Sequence, residues 1–342
     1  MKYNIALIGF GGVNRTLGEI IHRKRTEFTN MGIELNVVSI SDLFYGDIHD
    51  DNGLDIERIL NEEPEKGLFG KFQNGSSECN PLSVIQKTNA DIVSEATYSN
   101  PTDGQPALGY CEAALTRGIH VVTTNKGPVA TASNELKKLA RDNDCRFEYE
   151  GVVMSGTPVI RFVNQDLEGC NVTGFRGILN GTANYVLGQV EGGKSQSEAI
   201  KEAQELGYAE ADPTADIEGG DVLLKVRILA NVLWGKTLND SDIVREGISG
   251  LPDDAVRAAL LEGRRWKLIG EASIDDNSKV TASVKPELLG SNDILVGISG
   301  ATNAITFNTE YLGNVMISGP GAGKEETAFA LLSDIIAINK NR

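Results

Sequence analysis

The chain has 342 residues, 40% of them hydrophobic and 23% charged, with a formal charge of −16; this length exceeds the ~250–300 residues at which one core usually divides, so two domains are expected. The acidic balance, with Lys and Arg scattered, excludes a nucleic acid as partner, and no segment approaches the ~20 continuous apolar residues that would cross a membrane. Cys79, Cys111, Cys145 and Cys170 show no C-x-x-C spacing, and His22, His49 and His120 lack ligand spacing, so free thiols are expected and a disulfide framework or transition-metal site is not.

The opening MKYNIALIGF enters a strand pattern directly and has no small-residue cleavage site, which predicts a cytoplasmic chain. Its apolar run ends in glycines and leads into a helical pattern, NRTLGEIIHRKRTEFTNMG, and then a second strand, IELNVVSIS. This is a βαβ unit, at home in a parallel sheet. Residues 41–80 are polar and glycine-containing and read as loops with one short helix at DIERILNEE. ADIVSEAT is a third strand, PALGYCEAALTRG a helix, IHVVTTN a fourth strand, ATASNELKKLARDN a helix and CRFEYEG another strand. The alternation predicts an α/β fold of the Rossmann type, a doubly wound parallel sheet.

The pattern then changes. Helices dominate from Gly181 to Arg265, and β-type runs return as WKLIGEASI, KVTASVKP, NAITFNTEYL and NVMISG. A last helix, EETAFALLSDIIAI, follows the glycine turn GPGAG. The second domain is expected to be α+β. The boundaries fall at residues 1–145, rejoined by 320–342, and at 146–319.

IGFGGVN places Gly9 and Gly11 where a G-x-G-x-x-G fingerprint needs its first two glycines, with Gly12, Val13 and Asn14 completing the turn. The first glycine permits the tight turn, and the second lets backbone amides approach a pyrophosphate at the helix N-terminus. Asn14 stands where the third glycine or alanine is expected, so close helix–strand packing must be reached by other means. Asp42, at the end of the second strand, is placed either to accept a hydrogen bond from an adenosine ribose or to cap a loop. Arg15 beside the turn offers a partner for a 2′-phosphate. NAD and NADP therefore both remain open.

SEATYSN and VTTNKGP fall at the C-terminal ends of strands, the edge at which open α/β sheets bind ligands. That makes Thr97, Asn125 and Lys126 candidates, against a plain surface lysine opening a loop. Farther on, GYAEADPTADIEGGDVLLK carries Glu210, Asp212, Asp216, Glu218 and Asp221 ahead of Lys225. Asp221 and Lys225 stand i,i+4 on the border of an apolar stripe. They form either an ordinary pair worth ~0.3–0.5 kcal/mol or a shielded proton donor and acceptor.

In their order along the chain, IGFGGVN, VVTTNKGPVA, GVVMSGTPVI, GILNGTANYVL, ELGYAEADPTADIEGGDVLLK and GPGAGKEETA resemble the homoserine dehydrogenase family, in its short form. The resemblance covers nearly the whole chain. NGTANY together with GYAEADPTADIEGGD is its most specific element. It implies reversible reduction of L-aspartate 4-semialdehyde to L-homoserine with NAD or NADP, in threonine and methionine biosynthesis. Lys126 and Lys225 would serve the reacting oxygen, with Lys225 moving the proton and Asp221 in its network. Glu210 and Asp216 would meet the substrate amine, and Asn180, Gly181 and Thr182 its carboxylate. Thr97 and Asn125 would lie near the nicotinamide, and the turn with Gly321, together with Thr327, would close over the cofactor.

The resemblance also implies a sodium ion at Glu150, Val153 and Ser155, a homodimer built on sheet near CRFEYEG and NAITFNTEYL, and no C-terminal regulatory domain. The sequence departs from the family at Asn14, at Thr124, and at GVVMSG, which bears on the sodium positions. Two rivals are an aspartate-semialdehyde dehydrogenase, which would need an activated cysteine that none of the four provides, and a nucleotide sensor without turnover, against which Lys126, Glu210, Asp221 and Lys225 argue.

Overall fold

The computed structural model describes residues 1–340. It has two compact units, one formed by Met1–Val152 with the segment from Gly323 onward, the other by Val153–Ala322.

The first unit holds a seven-stranded sheet of β1 (Lys2–Ile8), β2 (Glu34–Asp42), β3 (Gly46–His49), β4 (Gly75–Ser76), β5 (Ile92–Glu95), β6 (His120–Thr123) and β7 (Phe147–Glu148), in the order β4-β3-β2-β1-β5-β6-β7. β2, β1, β5, β6 and β7 run parallel. β3 and β4 add antiparallel strands beyond β2. Residues 41–80 thus hold more order than loops and one helix. The extra strands are short and polar, with no period-2 apolar pattern to announce them. Gly46 shows why the turn works: its φ is +92°, and a Cβ there would lie 2.0 Å from the Ser76 carbonyl oxygen.

Ile5 and Leu7 of β1 point into a core with Leu17, Ile20 and Ile21 of the helix Gly12–Arg23. Ala328, Leu331, Leu332, Ile335 and Ile338 of the last helix, Lys324–Lys340, close the same core. Each fully buried aliphatic side chain contributes ~1.5–3 kcal/mol, enough to hold the chain's last helix to its first unit.

The second unit holds β8 (Val172–Ile178), β9 (Ile243–Arg245), β10 (Arg265–Ile274), β11 (Val280–Leu289), β12 (Thr302–Thr309) and β13 (Gly313–Pro320), in the order β13-β12-β8-β10-β11-β9. All pairs are antiparallel except β9 with β11. β8 lies in a stretch interrupted by Gly174 and Gly177, which hid its alternation. The helices Gly181–Glu191, Gly220–Trp234 and Asp253–Leu261 pack on the sheet. Gly270 admits the helix Gly220–Trp234 closely, since a Cβ there would meet Val222 at 2.5 Å. A smaller apolar cluster, Ile178, Ile269, Leu289, Leu295 and Ala304, forms a separate core.

Candidate active site

The turn after β1 is set by two glycines with different jobs. Gly9 has φ +79°, and a Cβ there would lie 2.7 Å from the carbonyl oxygen of Ala96. Gly11 caps the helix Gly12–Arg23, and a Cβ there would meet nothing within 4 Å. The first turn of this helix carries no acid, so its partial positive charge is left for an anion. A Cβ at Gly12 would lie 3.1 Å from the Lys324 side chain, and Val13 packs against the core.

Asn14 takes over the work of the missing third glycine by a different route. It is fully buried. Its Nδ2 donates to the carbonyls of Gly9 at 2.8 Å, Ser94 at 3.0 Å and Ile8 at 3.2 Å. Its Oδ1 accepts from Ser94 Oγ at 2.7 Å. The side chain therefore bolts the helix to the ends of β1 and β5, and its role at the turn is one of positioning.

Asp42 Oδ2 accepts from the Phe10 amide at 2.7 Å, and Oδ1 from the amides of Phe44 at 2.8 Å and Tyr45 at 3.2 Å. These bonds cap the loop after β2, on the rim of the glycine turn. Arg15 donates to the Leu60 carbonyl at 2.6 Å, which holds its guanidinium beside the Phe10 ring.

At the ends of β5 and β6 lies a residue that the sequence reading passed over. Glu95 is fully buried. Its Oε1 accepts from the Thr97 amide at 2.8 Å, Thr97 Oγ1 at 2.5 Å and Asn125 Nδ2 at 3.4 Å, and its Oε2 from Thr123 Oγ1 at 2.8 Å. Burial pushes its pKa up, and the hydrogen bonds oppose that shift. An acid closing the apolar run DIVSE was the only available signal. Asn125 is the N-cap of the helix Lys126–Asp142, its Oδ1 accepting from the Gly127 amide at 3.1 Å. Lys126 consequently begins a helix and does not open a loop.

In the second unit the acidic stretch condenses around one asparagine. Asn180 caps the helix Gly181–Glu191, its Oδ1 accepting from the Ala183 amide at 2.8 Å. Its Nδ2 donates to Asp216 Oδ1 at 2.6 Å and Asp221 Oδ2 at 3.0 Å. Lys225, on the helix Gly220–Trp234, pairs with Asp221 Oδ2 at 2.7 Å, and its side chain is 6% exposed. It also donates to the Leu179 carbonyl at 2.7 Å. Burial raises the Asp216 pKa, opposed by the Asn180 hydrogen bond and reinforced by the Asp221 charge. Thr182 Oγ1 donates to the Tyr208 carbonyl at 2.7 Å. Gly181 sits 2.5 Å from the Ala301 carbonyl oxygen by its would-be Cβ.

Glu210 is exposed, on the loop after the helix Gln196–Glu205. Gly321 lies against Asn303. Thr327 Oγ1 bonds back to the Gly323 carbonyl at 2.6 Å within its own helix. Glu150 and Ser155 are buried, as is Val153, and Ser155 has φ +50°. Glu150 and Ser155 flank the single-turn helix Gly151–Met154, and Val153 lies within it. Among the described residues no group of three or more His, Cys, Asp or Glu side chains could hold a metal ion. A carboxylate with backbone carbonyls and a hydroxyl is nonetheless a hard-oxygen donor set suited to an alkali cation.

A mostly parallel sheet with a glycine turn after its first strand, in one unit, and a shielded lysine–carboxylate pair, in the other, are features of a nicotinamide-dependent dehydrogenase acting on a small polar substrate. Comparison with known proteins narrows this class. A family model described as the NAD-binding domain of homoserine dehydrogenase matches residues 9–150, and one described as homoserine dehydrogenase matches 158–336. An NAD(+)-dependent homoserine dehydrogenase of Pseudomonas canavaninivorans is 50% identical over 99% of this chain and 97% of its own. A homoserine dehydrogenase of Methanocaldococcus jannaschii is 35% identical over 98% of both. A hyperthermophilic archaeal homoserine dehydrogenase solved in complex with NADPH superposes with a TM-score of 0.85 at 32% identity, covering 100% of this chain and 99% of that one. The chain belongs to the homoserine dehydrogenase family. It is an NAD(P)-dependent oxidoreductase that reversibly reduces L-aspartate 4-semialdehyde to L-homoserine. No helix among the described residues is long and apolar enough to cross a membrane.

Proposed function

We propose that Lys225 gives and takes the proton of this reaction, with Asp221 as its charge partner. The observation that carries this reading is the position of the ammonium, 2.7 Å from Asp221 Oδ2 and 2.7 Å from the Leu179 carbonyl in a nearly closed setting. A proton donor so held is shielded from water and fixed at two points. The nicotinamide, when bound, supplies or accepts the hydride at the substrate's C4. The first-turn amides at Gly181 and Thr182 suit the substrate carboxylate. Asp216, and Glu210 from its loop, supply negative charge for the α-amine. Lys126 polarises the carbonyl oxygen. Thr97 and Asn125, held by Glu95, shape the nicotinamide end. Gly321 in the glycine turn, together with Thr327 in the first turn of the last helix, would close over the cofactor. The Lys225→Ala variant should lose ~10²–10⁴ in kcat in both directions, and turnover within a few-fold of wild type would sink the assignment.

NAD is proposed as the preferred cofactor. The Asp42 carboxylate stands at the rim of the turn, where a 2′-phosphate would be repelled, and Arg15 is committed to Leu60. A higher kcat/KM with NADP than with NAD would refute this. A sodium ion at Glu150, Val153 and Ser155 is proposed on the donor chemistry. Activity unchanged on replacing Na+ by a bulky organic cation would remove it.

The protein is proposed to act as a cytoplasmic homodimer. The second unit's sheet leaves a polar cavity of about 550 Å³ over β8, β10, β11 and β12, lined by Arg176, Glu271, Ser283 and Asn308. A second copy could cover that face, whereas sedimentation as a monomer at working concentration would contradict it. The free thiols of the four cysteines suit a reducing compartment, and recovery of the protein in a periplasmic fraction would contradict that placement.

A further inference from the structure

The carbonyl oxygen of Leu179 accepts two hydrogen bonds. One comes from Lys225 Nζ at 2.7 Å, the other from Asn303 Nδ2 at 2.9 Å. Leu179 directly follows β8 and precedes the Asn180 cap. Asn303 lies on the neighbouring strand β12, where Ala304 pairs with Ile178. Asn303 is fully buried, and its Oδ1 has no hydrogen-bond partner among the described residues. A buried amide with one end unpaired is costly, and an aliphatic residue on this central strand would avoid the cost.

Gly321 makes room for this same amide. A Cβ at Gly321 would lie 2.1 Å from Asn303 Nδ2 and 2.5 Å from its Oδ1. The Gly321 backbone is outside the left-handed region, so the absence of a side chain there is required by the close approach to Asn303. The glycine turn and the amide are thus fitted to each other.

We infer that Asn303 is a positioning residue for the reaction, fixing through the Leu179 carbonyl the place of the Lys225 ammonium. A carbonyl oxygen offers two lone-pair directions. With the Asn303 amide on one, the ammonium is confined to the other. Asp221, one helical turn before Lys225, supplies the second anchor. Proton transfer to a substrate oxygen is sensitive to displacements of about 1 Å, which can cost ~10²-fold. The inference rests on the reading of Lys225 as the proton-transfer group.

The test is a double-mutant cycle on homoserine oxidation, with Asn303→Ala, the isosteric Asn303→Asp, Lys225→Met and the two doubles. Asn303→Ala should lower kcat ~10-fold, with KM for homoserine within ~3-fold of wild type. In the Lys225→Met background the same substitution should cost nothing further, because effects through one group do not multiply. Asn303→Asp adds a pH signature. Its carboxyl can donate to Leu179 only when protonated, so its kcat relative to wild type should rise as pH falls, while that of Asn303→Ala stays flat. If Asn303→Ala does not fold, the Asn303→Asp cycle decides by the same criterion. The inference is overturned if the folded single variant keeps kcat within two-fold of wild type. It is equally overturned if the Asn303 loss recurs undiminished on Lys225→Met. Near-normal turnover of Lys225→Met alone would instead remove the underlying reading of Lys225.

Discussion

Replacing Asn14 by alanine brings IGFGGVN closer to the dinucleotide fingerprint, since glycine or alanine is the residue expected at that position. The fingerprint alone predicts a neutral or favourable change. The structure predicts the opposite. Asn14 donates to three carbonyls and accepts from Ser94 Oγ, and it does so without solvent access. The 3.2 Å contact to Ile8 is the weakest, and the Ile8 carbonyl also accepts from the Ala96 amide at 2.9 Å. Three good bonds remain at risk, at about 1 kcal/mol net each, so the cost is about 3 kcal/mol.

That cost should be legible locally by hydrogen exchange with mass spectrometry. The slowest amides of β1 and β5 should lose roughly 10²-fold in protection, the factor that about 3 kcal/mol corresponds to. KM for the dinucleotide should rise in parallel, because the amides of the turn lose their fixed orientation. Loss of protection below ~5-fold, about 1 kcal/mol, would refute the bolt. Alanine would then have met the packing need by itself.

Burial pushes Lys267, which is 1% exposed, down to about 8 from an ordinary 10.5. Between those values the unfolded chain holds a proton that the native chain lacks. Native stability should therefore rise with pH across that window by up to about 3 kcal/mol. The Lys267→Met variant should lack this slope; urea midpoints that rise equally in both proteins would refute it. Glu95→Gln places an amide against donors from Thr97, Thr123 and Asn125. It should cost about 1–3 kcal/mol in stability and raise KM for the dinucleotide. Thermal melts and KM both at wild-type values would speak against the network.

Local signals were readable in the sequence wherever the physics is local. The glycine turn, the NGT cap and the Asp221–Lys225 spacing each depend on residues a few positions apart. β3, β4 and β8 escaped notice because they are too short, too polar or too interrupted by glycine to show alternation. Glu95 and Asn303 escaped for another reason. Their partners lie 28 residues away at Thr123 and 124 residues away at Leu179. Only the folded sheets bring those groups together. The helix begins at Lys126, ahead of the pattern ATASNELKKLARDN, because proline in a first helical turn costs no hydrogen bond and Pro128 therefore does not break it.

Both units use an asparagine at a strand-to-helix junction in the same way. Asn125 and Asn180 each spend Oδ1 on capping their own helix, and each spends Nδ2 on gathering remote groups. For Asn125 these are Glu95 and the carbonyls of Thr97 and Tyr98; for Asn180 they are Asp216 and Asp221. Aspartate caps a helix as well as asparagine does but cannot donate. Asn180→Asp therefore separates the two jobs. The cap survives, so the stability of helix Gly181–Glu191 should change by less than ~0.5 kcal/mol from capping alone. The new carboxylate, however, faces Asp216 and Asp221 with no proton to share, and repulsion should drive the acids apart or force one to protonate. Either outcome disturbs the Asp221–Lys225 pair, by displacement or by loss of a neighbouring charge. A fall of ~10²-fold in kcat is expected, with a pH profile displaced from that of wild type. Asn180→Ala loses the cap too and should show both deficits. An Asn180→Asp enzyme with wild-type kcat would mean that the acids do not need the amide between them.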